Sequence, residues 1–104
     1  MLRVVPSDPP GTFRLMGELD VSNVEEVQAQ LADGLRAKGR LTLDTAGLTF
    51  MDSQGLRMLI LLGRLAVETG SSIRLINCTP QVQLVLDVSV PNGIPGVEII
   101  ENEE

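Results

Sequence analysis

The 104-residue sequence has no histidine, no tryptophan and no tyrosine, and it has one cysteine and two phenylalanines. Without histidine, a Ser-His-Asp or Cys-His centre cannot form within the chain, nor can a histidine-containing metal site. At 2% aromatic residues, platforms for stacking bases are missing as well. The lone cysteine, Cys78, excludes an intramolecular disulfide and fits a reducing cytoplasm. Its neighbours Asn77 and Thr79 bring no cation that would lower its pKa, so Cys78 reads as a small packed residue rather than a redox site. Lys38, the one lysine, lies outside any G-x-x-x-x-G-K-[ST] pattern, which excludes a phosphate-binding loop of that type. The longest unbroken apolar run, Met58 to Leu62, is far short of the ~20 residues that span a bilayer. The opening "MLRVVPSDPP" lacks the apolar core and cleavage site of a secretion signal. Basic residues are few, 8 against 14 acidic, and scattered apart from Arg36, Lys38 and Arg40. A chain of net charge -6 without a basic stripe is a poor nucleic-acid ligand. The expectation is a cytoplasmic protein with no membrane insertion, no nucleic-acid partner and no cofactor.

What is present is enough for one domain over residues 1–104, with 43% hydrophobic residues to fill a core. "TFRLMGELD", residues 12–20, alternates as a strand, with Phe13, Leu15 and Leu19 on one side. With residues 2–5 it predicts a hairpin across the turn "PSDPPG". Val24, Val27, Leu31 and Leu35 make the stripe of an amphipathic helix. Ser22 and Glu25 match a capping box at its start, and Gly39 is placed to cap its end. "RLTLDT", residues 40–45, is the next strand, followed by the connection "AGLTFMD". A helix is expected over Ser53–Glu68, with Leu56, Leu59, Ile60, Gly63 and Val67 on one face. Then come the strand "IRLIN", a short helix capped by Thr79-Pro80 and running through Asp87, the loop "VSVPNGIPG" and the strand "VEII". Residues 100–104 are expected to be a frayed acidic tail. The order β-β-α-β-α-β-α-β predicts an α/β fold: a small mixed, mostly parallel sheet with helices packed on it.

Asp20, Asp44 and Asp52 each lie near an element boundary. Paired-carboxylate catalysis is formally open to them, but capping and turn roles are commoner for such aspartates. No residue is assigned as catalytic, and the protein is read as a non-enzyme.

The element order, with Gly17-Glu18-Leu19-Asp20, the strand Leu41-Thr42-Leu43-Asp44 and the run Phe50-Met51-Asp52-Ser53-Gln54-Gly55-Leu56, resembles the STAS domain family over roughly residues 2–100. More narrowly, it looks like the bacterial anti-sigma factor antagonists. The resemblance implies partner switching. An unphosphorylated antagonist captures an anti-sigma factor serine kinase of the histidine-kinase-like ATPase fold and frees the sigma factor, phosphorylation releases the kinase, and a PP2C-type phosphatase resets the switch. Carried over by position, the phosphoacceptor is Ser53, with Asp52 as the motif aspartate, Gly55 and Leu56 as the helix-opening pair and Asp20 beside that helix start. Phe50, Met51, Gln54 and Arg57 flank the acceptor and with Asp20, Asp52 and Gly55 make up the expected partner-binding surface, while Phe50 and Met51 also read as core. Gln54 departs from the serine or threonine common after the acceptor, which leaves Ser53 the only hydroxyl in the motif. A serine at a helix start suits a removable charge of about -1.5 to -2, because helix N-termini tolerate anions. The same resemblance also admits a non-switching STAS regulatory subunit of a transporter or stress-sensing complex, a reading favoured by Gln54 and by the very apolar second helix.

Overall fold

Side-chain alternation sets the sheet. Along Arg40–Thr45 the odd residues Leu41, Leu43 and Thr45 are buried, while the even ones face outward. The same alternation buries Ile73 and Leu75 and exposes Ser72 and Arg74. The computed structural model describes residues 1–101. Its elements are β1 (Leu2–Ser7), β2 (Thr12–Leu19), α1 (Val24–Lys38), β3 (Arg40–Met51), α2 (Ser53–Thr69), β4 (Ser72–Ile76), α3 (Pro80–Ser89) and β5 (Val97–Ile99). The strands lie in chain order across one five-stranded sheet. β1 and β2 form the antiparallel hairpin, and β2 through β5 are mutually parallel. The predicted mixed α/β architecture and element order are those observed. α1 and α2 pack side by side against the sheet, and α3 packs against β3.

Five local expectations are corrected. First, the connection after Thr45 is strand: β3 runs on to Met51, pairing with β2 as far as Leu19↔Met51. Register shifts between Arg14 and Met16, and again between Gly17 and Glu18, break the simple alternation. Gly47 lies at the first shift, where a Cβ would come within 2.7 Å of Met16 Cγ. Beyond it the phase has changed, so Leu48 and Met51 are buried while Thr49 and Phe50 are exposed.

Second, the capping box does not form. α1 begins after Asn23, which makes no side-chain cap, and the Ser22 hydroxyl donates to Asp20 Oδ1 instead. Gly39 does cap the helix end, with φ 72° and its N–H on Leu35 O. Third, the buried face of α2 is Gly55, Met58, Leu59, Leu62, Gly63 and Ala66, while Val67 is exposed. Of the expected face, Leu59 and Gly63 are buried and Leu56 and Ile60 half-buried, so the stripe is turned toward Gly55, Met58, Leu62 and Ala66. Fourth, the short helix extends two residues past Asp87, to Ser89; its Thr79 cap forms, with Oγ1 accepting from Val82 N. Fifth, Ile100 is tied to the sheet by its N–H on Leu75 O (2.9 Å) rather than frayed. Residues 102–104 of the expected acidic tail lie outside the described residues.

Candidate functional site

The site lies where β2 and β3 end together and α1 and α2 begin. Asp52 follows the last residue of β3 and caps α2, its Oδ1 accepting from Gln54 N (2.9 Å) and Gly55 N (3.0 Å). Its Oδ2 accepts from Val21 N (3.3 Å), so one carboxylate ties the α2 start to the β2–α1 turn. Asp52 N in turn donates to Leu19 O (3.2 Å), closing the two strand ends. We expect Asp52→Ala to lower stability by about 1–2 kcal/mol, measured by urea unfolding, with Asp52→Asn retaining most of the difference.

Asp20 organises the turn itself. Its Oδ1 accepts from Ser22 N (3.0 Å) and from the Ser22 hydroxyl, while Asn23 donates through Nδ2 to Glu18 O (2.9 Å) and accepts from Asp20 N (3.2 Å). The Ser22 bonds, side chain first, hold the Asp20 carboxyl below its ordinary value of 3.8. A carboxylate lowered in the folded state stabilises the fold above that ordinary value, and this contribution is lost as pH falls through the folded-state value. NMR titration should place Asp20 below 3.8, and Ser22→Ala should move it back toward that value.

Ser53 is the first residue of α2 and is exposed. The two N–H groups that would otherwise take an anion there, at Gln54 and Gly55, are held by Asp52. Gln54 and Arg57 are exposed beside Ser53, and Phe50 is 43% exposed. Met51 and Gly55, also expected on this surface, are buried beneath it. Gly55 lets Met51 and Leu19 pack under the helix start, since a Cβ there would lie 2.7 Å from Met51 Cγ.

Val21 is the residue missed in the sequence. It is apolar, 73% exposed, and fixed to Asp52 through its own N–H. Its signal was available: an apolar side chain between Asp20 and Ser22 in a turn has no core to fill. Val21 also lines a groove of ≈ 240 Å³ between α1 and α2, with Val24 and Gln28 on one wall and Gln54, Arg57 and Leu61 on the other.

Asp44 is not part of this end of the fold. It sits on the part of β3 that pairs with β4, where its Oδ1 accepts from Ala46 N and Asn77 Nδ2, both at 3.1 Å. The three aspartates are engaged in turns and caps. A larger cavity of ≈ 390 Å³ beside α3 is lined by Cys78, Gln83, Asp87 and Glu101. Burial pushes the Cys78 thiol up, against a smaller opposing effect of the Thr45 hydroxyl. Among the described residues, no three His, Cys, Asp or Glu side chains are placed to hold a metal ion, and no helix is long and apolar enough to cross a membrane.

No curated protein matches the chain in sequence. Solved structures do share its fold. The anti-sigma factor antagonist SpoIIAA in its unphosphorylated form superposes with a TM-score of 0.69 at 19% identity, over 99% of this chain and 90% of that one. SpoIIAA of Bacillus in the phosphorylated form gives 0.67 at 20% identity, over 98% and 93%. An anti-sigma factor antagonist from Mycobacterium paratuberculosis gives 0.74 at 13% identity, over 94% and 86%. At these identities the likeness is one of fold. The family model described as "Mlab, STAS domain" matches residues 3–94, nearly the whole sequence. The chain belongs to the STAS domain family.

Proposed function

We propose that the protein is an anti-sigma factor antagonist that works by partner switching, with Ser53 as phosphoacceptor. The observation that carries this reading is the exposed Ser53 hydroxyl at the first position of α2, immediately after a cap that already occupies the helix-end N–H groups. In the unphosphorylated form, Val21, Phe50, Gln54 and Arg57 present a surface of apolar and polar groups around Ser53 to an anti-sigma factor serine kinase. Asp20 and Asp52 hold that surface together from behind, through the turn and the helix cap. The kinase supplies ATP, magnesium and the base, so the antagonist needs only a reachable hydroxyl.

Phosphate adds about -1.5 to -2 charges next to Asp52 in a chain already at -6. With the Gln54 and Gly55 N–H groups already held by Asp52, the charge stays at the interface and opposes the complex. A PP2C-type phosphatase restores the hydroxyl. Such a switch operates in the cytoplasm.

A second reading is favoured by a different observation. Leu84 and Val88, four residues apart on α3, are 63% and 72% exposed. An apolar pair on an outer helix suits permanent packing in a larger assembly, as in a non-switching STAS subunit of a transporter or sensor complex. Incubation with the cognate kinase and ATP tests the first reading: one phosphate on the wild-type protein, located at Ser53 by fragmentation, and none on Ser53→Ala. Stoichiometric phosphate elsewhere would overturn it. Stable capture of a transporter or sensor subunit, lost in Leu84→Asp, would support the second.

A further inference from the structure

The face of the sheet turned away from α1 and α2 carries a charge opposite to that of the protein. Strand alternation and register put Arg3 of β1, Arg14 of β2, Arg40 of β3 and Arg74 of β4 on that face, and all four are exposed. These are four of the chain's eight basic residues, against Glu18, Asp44 and Glu98 of its 14 acidic ones.

Three of the arginines gather around one hydroxyl. Thr42 is the cross-strand neighbour of Arg74, about 4.8 Å away in the sheet. Arg40 precedes it by two residues on the same strand, roughly 6.6 Å along it. On its other side Thr42 pairs with Thr12, which puts Arg14 on the diagonal. The acidic residues nearby leave these cations largely uncompensated. Asp44, opposite Arg14, is bonded to Ala46 N and Asn77 instead. Glu98 meets Arg74 only at Nε, at 3.5 Å and in the open. Among the described residues, Arg3, Arg14 and Arg40 form no ion pair.

We propose that this face is a second docking surface, separate from the Ser53 end, and that it takes an acidic segment of a partner protein. One observation selects that occupant over an anionic membrane. All four cations are arginine, whose planar fork pairs bidentately with carboxylates, and the single lysine is not among them. Thr42 and Ser53 lie near opposite ends of β3, a separation of about 30 Å along the strand. Occupancy here is therefore compatible with either state of Ser53.

The test is an NMR titration of the ¹⁵N-labelled protein with a hexaglutamate peptide at low salt, run beside phosphatidylglycerol vesicles. Peptide should shift the amides of Arg14, Thr42 and Arg74, and the affinity should fall with added salt. The triple variant Arg14→Gln/Arg40→Gln/Arg74→Gln should weaken binding by about tenfold or more, whereas Arg36→Gln/Arg64→Gln and Ser53→Asp should not change it. If the triple variant melts early, the three single replacements decide, each expected to cost about threefold. The proposal is overturned by wild-type affinity in these variants, by shifts confined to the start of α2, by no peptide binding at all, or by binding to vesicles and not to peptide. Because Ser53→Asp is read out separately, failure here leaves the switch at Ser53 standing, and the reverse holds too.

Discussion

Gly96→Ala should destabilise the protein by roughly 2–5 kcal/mol, combining a left-handed backbone conformation with an overpacked contact. Gly96 has φ +85°, and a Cβ there would sit 2.1 Å from the carbonyl oxygen of Gly63. The approach is mutual, because a Cβ on Gly63 would lie 2.3 Å from Pro95 O. Here the middle of α2 crosses the segment leading into β5 backbone against backbone, and neither chain can yield as a flexible side chain would. The three-residue β5 lies next in line, so displacement of this segment also loosens the edge of the sheet. For a domain of this size the melting temperature should fall by roughly 10–30 °C. Gly39→Ala is the control: its φ is +72° but nothing lies within 4 Å of the added carbon, so only the conformational cost of about 1 kcal/mol applies. Equal losses in the two variants, measured by thermal circular dichroism, would show that the crossing is not tight.

Ser53→Asp should separate folding from binding. An acidic residue in the first turn of α2 interacts favourably with the helix dipole by about 0.3–1 kcal/mol, and the adjacent Asp52 offsets part of that. The melting temperature should therefore stay within a few degrees of the wild type. Under the partner-switching function proposed above, binding to an anti-sigma factor kinase should weaken by about 3 kcal/mol, roughly a hundredfold in Kd, because a charge is brought into the interface without a matched cation. Ser53→Ala should bind like the unphosphorylated protein. Calorimetric titration of the three proteins decides the matter, and an unchanged Kd for Ser53→Asp would remove Ser53 from the switch.

Much of this fold could be read in advance where one period governs a whole segment. Val27, Leu31 and Leu35 keep helical spacing through α1 and are all buried; Leu41 and Leu43, like Ile73 and Leu75, keep strand spacing and are buried too. The position of Ser53 after Asp52 was legible because a cap and a helix start leave a local signature. Where two effects competed, the reading failed. The register shifts around Met16 and Gly47 changed the phase of β3 halfway along, so a strand looked like a loop. Gly55 marks the inward stripe of α2 by what it lacks, and only the neighbours it admits reveal it. Ser22 had two acceptable partners, and Asp20, two residues away, took the hydroxyl that a capping box would have used. The tether of the Val21 N–H to Asp52, 31 residues distant, is contained in no local pattern, although the exposure of the side chain in its turn is.

The burial of Cys78 has a practical consequence. With no tryptophan or tyrosine, the protein gives almost no near-ultraviolet absorbance or intrinsic fluorescence signal of its own unfolding. Cys78 is 5% exposed and its thiol is held toward the neutral form, so a thiol-specific reagent must wait for the molecule to open before it can react. When reclosing outpaces the reagent, the labelling rate measures the free energy of that opening. A single native side chain thus becomes a clock for the stability of the region where β4 meets α3, readable by mass in a crude mixture and without any introduced probe.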